Sequence, residues 1–195
     1  MNPVKTRERT GMSDPINPHK IVVLTGAGIS AESGLPTFRD MGGLWEQYEI
    51  TEVVVITQNV DDLHERGGSS NVIHVHGELI KARSTADPAL IYEIGGKDIH
   101  LGDLCEQGAQ LRPHIVWFGE LIHNFEVAAG HVSSAGKVLV VGTSLSVYPA
   151  AGLLTKARSS AEKLIVSPDL ESEPVAFHWI KGTAVEHVPQ IVNRW

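Results

Sequence analysis

The sequence is short of cysteine, of positive charge and of long apolar runs, and each shortage excludes a class of protein. A single cysteine, Cys105, permits no disulfide within the chain, which suits a reducing compartment and leads us to expect a cytoplasmic protein. No apolar run is long enough to cross a bilayer, so we expect no membrane partner. A net charge of -7 argues against nucleic acid as a partner, because such binding needs clustered lysine and arginine.

What remains is the composition of a globular protein. Its 195 residues, 42% hydrophobic and 20% charged, can bury one sizeable core. Residues 1–18 are polar, contain three prolines and lack an apolar signal core. We therefore expect residues 1–18 to form a flexible N-terminal leader and not an export signal.

Four short apolar runs share one pattern, in which a buried strand is followed by small or polar residues. They are residues 21–24, 53–57, 137–141 and 163–166, followed by Thr25, Gln58, Gly142 and Ser167. With helical stretches between them, for example around 150–160, these runs predict an α/β fold: a Rossmann-like parallel sheet with helices on both faces. Ligands of such sheets bind beyond the carboxyl ends of the strands, where these polar residues lie.

One stretch, residues 80–110, departs from this pattern. It mixes glycine, charged residues and short apolar pieces without a clear period. We expect a small inserted lobe there, and we assign residues 19–79 and 111–195 to the Rossmann-like domain.

The first motif with chemical meaning follows the first strand. Residues 26–31, GAGISA, fit the pattern G-x-G-x-x-G/A, in which glycines let the backbone approach a pyrophosphate at the start of a helix. A plain strand-to-helix turn has the same pattern, and the acidic residue that a dehydrogenase carries about 20 positions later is not identifiable. The next loop, with Phe38 and Arg39, either folds over a bound nucleotide or lies on the surface.

Two further motifs bring polar groups to strand ends. Asn59 and Asp61 follow the second strand, where they line a ligand pocket or cap a helix. His74 and His76 alternate, so on a strand they share one face, and a metal site, a general base and a structural role are all open. Gly77, directly after His76, indicates an exposed turn and favours catalysis.

Residues 111–120, LRPHIVWFGE, are either a core strand or an open edge for an extended peptide.

Taken together and in this order, the motifs resemble the sirtuin family, in the style of its short bacterial members. The stretches that carry the resemblance are GAGISAESGLPTFRD, TQNVDDLHERGG, HVHGEL, LRPHIVWFGE and GTSLSVYPAAG. No single stretch is decisive, but five in register are very specific. The resemblance implies an NAD-dependent protein lysine deacylase that removes acetyl or succinyl-like groups and yields nicotinamide and O-acyl-ADP-ribose.

The resemblance also implies a role for each site residue. His76 would be the general base, and Asn59 and Asp61 would complete the catalytic set. NAD would contact Gly26, Ala27, Gly28, Phe38, Arg39, Gln58, Asn59, Asp61, Gly142, Thr143, Ser144, Thr183 and Ala184. The acyl-lysine of a protein or peptide substrate would lie against Val116, Phe118, Gly119 and Glu120.

The chain departs from the family pattern in three ways. Sirtuins place a flexible cofactor loop and a small helical segment between the positions of Trp45 and Val53. Both are missing from this sequence. Either they are deleted from the protein or, as we expect, the sequence omits residues of a disordered loop. Ser167 replaces an asparagine that contacts a ribose in many members. The zinc-binding cysteine pairs of the family are reduced to Cys105, and His100 nearby cannot complete a four-ligand site.

Three other functions compete with deacylation. A sirtuin-like module that binds NAD or ADP-ribose without turnover is favoured by the missing segment and cysteines, and disfavoured by the intact set of Asn59, Asp61 and His76. Transfer of ADP-ribose to a protein would use the same pocket without an acyl-lysine tunnel, so the strand at 111–120 favours deacylation. An NAD oxidoreductase would need a hydride acceptor site, and the sequence offers none.

The lost cysteines generate a prediction about metal content. One thiolate and one imidazole do not make a tetrahedral zinc site, so the purified protein should contain no stoichiometric zinc and no other structural metal. Elemental analysis of protein purified without chelators measures this directly. One zinc ion per chain would contradict it.

Overall fold

A computed structural model of the chain describes residues 15–32, 52–170 and 174–195. Six parallel strands form the main sheet in the order β3-β2-β1-β7-β8-β9, and three antiparallel strands form a small sheet in the order β5-β4-β6. The strands are β1 Asn17–Thr25, β2 Glu52–Thr57, β3 Val72–His74, β4 Gly77–Ser84, β5 Ile91–Glu93, β6 Leu111–Ile115, β7 Ala135–Val141, β8 Glu162–Ser167 and β9 His178–Lys181.

The helices of the described residues are short. The α-helices are α1 Leu63–Arg66, α2 Phe125–Ser134 and α3 Ala184–Arg194, and two 3-10 helices span Ala27–Glu32 and Ala150–Lys156. The helical stretch predicted around 150–160 is thus a 3-10 helix. Among these residues, no helix has the length and apolar content needed to cross a membrane.

The main sheet is covered on both faces, as predicted. Side chains alternate along β1, so Val22 and Leu24 belong to a cluster that includes Val132 of α2, whereas Val23 belongs to one that includes Ile191 of α3. Each fully buried aliphatic side chain of this kind stabilises the fold by about 1.5–3 kcal/mol. The predicted fold class, a Rossmann-like parallel sheet between helices, is confirmed.

The strand order fixes where a ligand can bind. β1 lies between β2 and β7, so the chain leaves β1 towards one side of the sheet and later returns on the other side. Strands that diverge in this way leave a crevice beyond their carboxyl ends. In this chain the crevice is bordered by the residues that follow β1, β2, β7 and β8.

The small sheet lies in the region predicted as an inserted lobe. It runs from Gly77 to Ile115, slightly beyond the predicted limits of 80 and 110. At the other end of the sequence, β1 begins at Asn17, which falls within the predicted leader 1–18, and residues 1–14 lie outside the described residues. The division into a leader, a Rossmann-like domain and a lobe stays a prediction.

Hydrogen bonds close the lobe where the family has cysteines. The buried Cys105 donates its thiol to the Ser84 hydroxyl at 3.4 Å, and that hydroxyl also accepts the backbone N–H of Ala86 at 3.1 Å. Within the described ranges, no group of three or more His, Cys, Asp or Glu side chains could hold a metal ion. The hydrogen bonds of Ser84 are thus among the contacts that close the lobe.

One glutamine closes the long loop that precedes β6. The Gln110 amide nitrogen donates to the carbonyl oxygens of His100, Asp103 and Leu111 at 2.9, 3.1 and 3.0 Å. Its amide oxygen accepts the N–H of Gly102 at 2.8 Å. This half-buried side chain thereby joins both ends of residues 100–111.

We predict that Gln110→Ala destabilises the protein by about 1–3 kcal/mol, because it leaves several backbone groups of the loop without their protein partner. Urea unfolding followed by circular dichroism measures the change. Gln107→Ala, three residues away and exposed, is the matched control and should be neutral. Equal stability of the two variants would show that Gln110 does not hold the loop.

Candidate active site

The carboxyl ends of four parallel strands open onto one cleft of about 550 Å³, a volume typical of small-molecule sites. Its lining includes many of the predicted cofactor residues and the predicted base: Gly26, Ala27, Gly28, Gln58, Asn59, His76, Gly142, Thr143, Ser144, Thr183 and Ala184. Residues more than 150 positions apart in sequence meet here because the strands are parallel and end at the same edge of the sheet. Phe38 and Arg39 lie outside the described residues.

The glycine loop after β1 packs directly on the loop after β7. The N–H of Gly28 donates to the Gly142 carbonyl at 2.7 Å, and a Cβ atom on Gly28 would lie 2.8 Å from that oxygen. Gly142 itself has a φ of +64°, which favours glycine. The N–H groups of Gly26 and Gly28 are thus bonded within the protein, and the glycines here provide close packing that shapes the floor of the cleft.

A glutamine ties two strand ends together across β1. The Gln58 side-chain nitrogen donates to the Thr143 hydroxyl at 3.0 Å, and the Gln58 backbone N–H donates to the Thr25 carbonyl at 2.9 Å. The ends of β2, β1 and β7 are therefore fixed relative to one another at the cleft.

His76 enters the cleft with one ring nitrogen already engaged. Its Nδ1 lies 3.0 Å from the Gln58 carbonyl oxygen. A carbonyl oxygen can only accept, so Nδ1 carries a proton and donates it. In the neutral ring Nε2 then has a free electron pair, which is the requirement for a general base.

Gly77 has a different role from the one that the sequence indicates. The prediction of an exposed turn after His76 is wrong, because Gly77 is buried and opens β4, paired with Ile115 of β6. Its φ is +84°, and a Cβ atom there would collide with the His114 carbonyl oxygen. The glycine allows close approach of β6, which brings the segment after β6 beside His76.

A buried polar network supports the loop after β2. The hydroxyl oxygens of Thr25 and Thr57 lie 2.9 Å apart, and His64 Nε2 lies 2.8 Å from that of Thr25. The N–H of Asn59 donates to the Thr57 hydroxyl at 3.1 Å. Burial lowers the pKa of His64, so its ring is neutral near pH 7.

Asp61 lies beside the cleft lining and not within it. One of its carboxylate oxygens accepts the N–H of Leu63 at 3.1 Å, at the start of α1. This contact is a local Asx turn, because the N-cap of α1 is Asp62, which makes no side-chain capping hydrogen bond. The predicted catalytic role of Asp61 stays a prediction.

The predicted substrate segment adjoins the predicted base. The N–H of Val116 donates to the His76 carbonyl at 2.9 Å. β6 is an edge strand that ends at Ile115, and residues 117–120 form a turn in which the Glu120 N–H donates to the Trp117 carbonyl at 3.0 Å. Phe118 is 99% exposed, so its side chain is available for a partner.

Glu120, also predicted to contact substrate, has several protein partners. Its carboxylate accepts hydrogen bonds from Arg112 at 2.5 Å, from Arg83 at 2.9 Å and from the Trp117 N–H at 3.0 Å. The Arg112 hydrogen bond, followed by that of Trp117, lowers the pKa of Glu120 to about 2. The glutamate therefore fixes the turn that carries Phe118.

Sequence analysis missed cleft residues on the far side of the sheet. Val147, Val166, Pro168 and Asp169 also line the cleft. The acidic residue of a dehydrogenase is not identifiable about 20 positions after the glycine motif, whereas Asp169 reaches the cleft from the end of β8. Its position directly after an apolar strand was the available signal. The hydroxyl of Ser167, which replaces the family's asparagine, donates to the Asp169 carbonyl at 2.6 Å.

Comparison with known proteins agrees with this geometry. The model of the Sir2 family matches residues 26–54 and 47–149, which is more than half of the chain. The chain belongs to the Sir2 family. The resemblance to sirtuins drawn from the motifs is thereby confirmed.

Curated Sir2 relatives from bacteria cover most of the chain. An NAD-dependent protein deacylase of Helicobacter pylori (strain J99) is 42% identical, covering 76% of this chain and 82% of the relative. One from Bacteroides thetaiotaomicron is 39% identical, with 81% and 87% covered, and one from Vibrio vulnificus (strain YJ016) is 35% identical, with 89% and 92% covered.

Solved Sir2 structures share the fold. A mutant Sir2 homologue in complex with ADP-ribose superposes with a TM-score of 0.72 at 32% identity, covering 90% of this chain and 91% of that one. A Sir2 homologue in complex with NAD superposes with a TM-score of 0.70 at 31% identity, covering 90% and 88%.

The same comparisons bear on the segment missing after Trp45. The Sir2 match is in two pieces that overlap at residues 47–54, the place at which sequence analysis finds the segment missing. Glu52 and Val53 are consecutive in β2, while residues 33–51 lie outside the described residues.

We predict that the stabilising effect of Glu120 fades in acid. Its pKa in the folded protein lies below the ordinary value of 4.5, so the carboxylate stabilises the fold above about pH 4.5 and loses this effect as the pH falls towards 2. Wild type should thus exceed Glu120→Gln in unfolding free energy at pH 7, and the difference should shrink below pH 4.5. Urea titrations across this range, with exposed Glu126→Gln as the control, measure it. A pH-independent difference would contradict the assignment.

Proposed function

We propose that this chain is an NAD-dependent protein lysine deacylase in which His76 is the general base. The observation that carries the proposal is the contact between His76 Nδ1 and the Gln58 carbonyl, which leaves Nε2 as the proton acceptor in a cleft that Asn59 also lines. The deacylase relatives and the Sir2 complexes with NAD and ADP-ribose support it.

The cleft residues fit NAD in size and chemistry. Gly28 and Gly142 form a floor that a side chain would fill, Thr143 and Ser144 supply hydroxyl groups, and Val147 supplies an apolar surface. When bound, NAD would supply an anomeric carbon that accepts the acyl oxygen of the lysine amide as nicotinamide leaves, and one water molecule would be consumed to release the amine, so that the products would be free lysine, nicotinamide and O-acyl-ADP-ribose.

The chain's own residues would bind, orient and deprotonate. His76 Nε2 would take a proton from a hydroxyl group in the cleft, and the Gln58 carbonyl would stabilise the ring through Nδ1 as it becomes charged. Gln58, bonded to Thr143, would keep the two halves of the cleft in register. Positioning of this kind supplies a large share of the barrier reduction in two-substrate reactions.

The segment after β6 would receive the acyl-lysine of a protein or peptide. Val116 is bonded to the backbone of the base residue, Gly119 has a φ of +91°, and Phe118 projects into solvent beside them. Glu120 would act by holding this turn. A peptide in extended form could pair with the outer edge of β6.

We also infer a cytoplasmic location, where NAD and acylated proteins are available, and no nucleic-acid partner, in keeping with the net charge of -7.

A second candidate is a module that binds NAD or ADP-ribose with little turnover. It is favoured by one observation, the division of the Sir2 match into two pieces that overlap at residues 47–54, where sequence analysis finds a segment of the family missing. The positioned proton acceptor of His76 disfavours it, because binding alone needs no base.

We predict that the protein deacylates acetyl-lysine or succinyl-lysine peptides in the presence of NAD, and that His76→Ala abolishes this activity while NAD binding persists. Mass spectrometry of the peptide and of O-acyl-ADP-ribose, with calorimetry for NAD, measures both. The exposed His100→Ala is the control and should be fully active. Activity in His76→Ala would exclude this residue as the base, and NAD binding without any product in wild type would favour the binding module.

A further inference from the structure

A second histidine beside the cleft has no part in the proposed chemistry. His74, at the end of β3, is 7% exposed, and both ring nitrogens have partners. Nδ1 lies 3.0 Å from the carbonyl oxygen of Asn59, and Nε2 lies 2.8 Å from a carboxylate oxygen of Glu65 in α1. With both nitrogens engaged, His74 has none left for a metal ion.

The partners define where the protons are. The Asn59 carbonyl can only accept, so His74 Nδ1 donates to it. The short contact at Nε2 requires one further proton between the imidazole and the carboxylate. The Glu65 carboxylate, 2.8 Å from Nε2, holds the ring in the orientation in which Nδ1 faces the Asn59 carbonyl.

Asn59 is thereby held through both of its backbone groups. Its N–H donates to the Thr57 hydroxyl at 3.1 Å, and its carbonyl accepts from His74. Its neighbour Gln58 is held in the same way by His76, so two alternating histidines bind two consecutive carbonyl oxygens. One histidine of the pair faces the cleft, while the other is buried behind it.

We propose that His74 is a positioning residue for the reaction: with Glu65, it fixes the Asn59 backbone and so sets where the Asn59 side chain stands in the NAD cleft. The inference rests on the proposed deacylase function, in which Asn59 contacts the ribose or nicotinamide. Loss of the His74 to Asn59 contact should lower kcat, because a shift of about 1 Å in a reacting assembly costs up to about a hundredfold in rate.

Two substitutions separate the two contacts of His74. In His74→Asn, the amide nitrogen lies near the position of Nδ1 and can still donate to the Asn59 carbonyl. In His74→Gln, the amide nitrogen lies near the position of Nε2 and can reach only Glu65. We expect His74→Gln to lower kcat about tenfold to a hundredfold, with a smaller change in KM for NAD. We expect His74→Asn to retain most of the wild-type kcat.

Nicotinamide release with a peptide that wild type deacylates gives kcat and KM, and thermal unfolding gives the stability of each variant. His178→Gln, the same change at an exposed histidine of β9, is the control and should behave as wild type. Glu65→Gln, at a partly exposed position, should give a kcat between wild type and His74→Gln, and it tests the inference even if the His74 variants fold poorly.

The outcomes are distinct. A kcat equal to that of wild type in His74→Gln or in Glu65→Gln would overturn the inference. Equal losses of kcat in His74→Gln and His74→Asn that parallel their losses of thermal stability would also overturn it. If wild type itself releases no nicotinamide while binding NAD, the proposed function fails, and the inference about catalysis fails with it. A loss of kcat in His74→Gln that His74→Asn does not share would support it.

Discussion

The active site depends on three consecutive carbonyl oxygens, those of Thr57, Gln58 and Asn59, and on the donors that hold them. The N–H of Val75 bonds to the first, His76 to the second and His74 to the third. A chain that leaves a strand usually becomes free to move, but here each of these residues is bonded to the last residue of β3 or to one of the two residues that follow it. The cleft residues Gln58 and Asn59 are therefore placed by the backbone before any ligand arrives, which is the preorganisation that efficient catalysis needs.

The same loop is connected to the rest of the sheet by buried polar contacts. Thr25 and Thr57 join the ends of β1 and β2, and Gln58 reaches Thr143 after β7. Buried polar groups stabilise a fold only when they are satisfied, and they then specify one arrangement. Bonding across three adjacent strands makes the geometry of the cleft a property of the whole sheet.

Much of this could be predicted from the sequence. The apolar runs and the polar residues after them indicated the sheet and the edge at which the cleft lies, because parallel strands follow simple rules. The contacts that position the site could not be predicted. Nothing local in the sequence shows that Gly77 is buried under the His114 carbonyl, since this contact depends on β6, which is distant in sequence. The spacing of His74 and His76 would place them on one face of a strand, but β3 ends at His74, and its contact with Asn59 depends on how far the loop after β2 turns back.

The small lobe shows how a fold can replace one kind of cross-link by another. Ser84 and Gln110 use hydroxyl and amide groups, which neither bind soft metals nor react with peroxide. The remaining thiol, Cys105, is buried against Ser84 and shielded from solvent. These hydrogen bonds, in a lobe beside residues 116–120, depend neither on the supply of zinc nor on the reduced state of thiols.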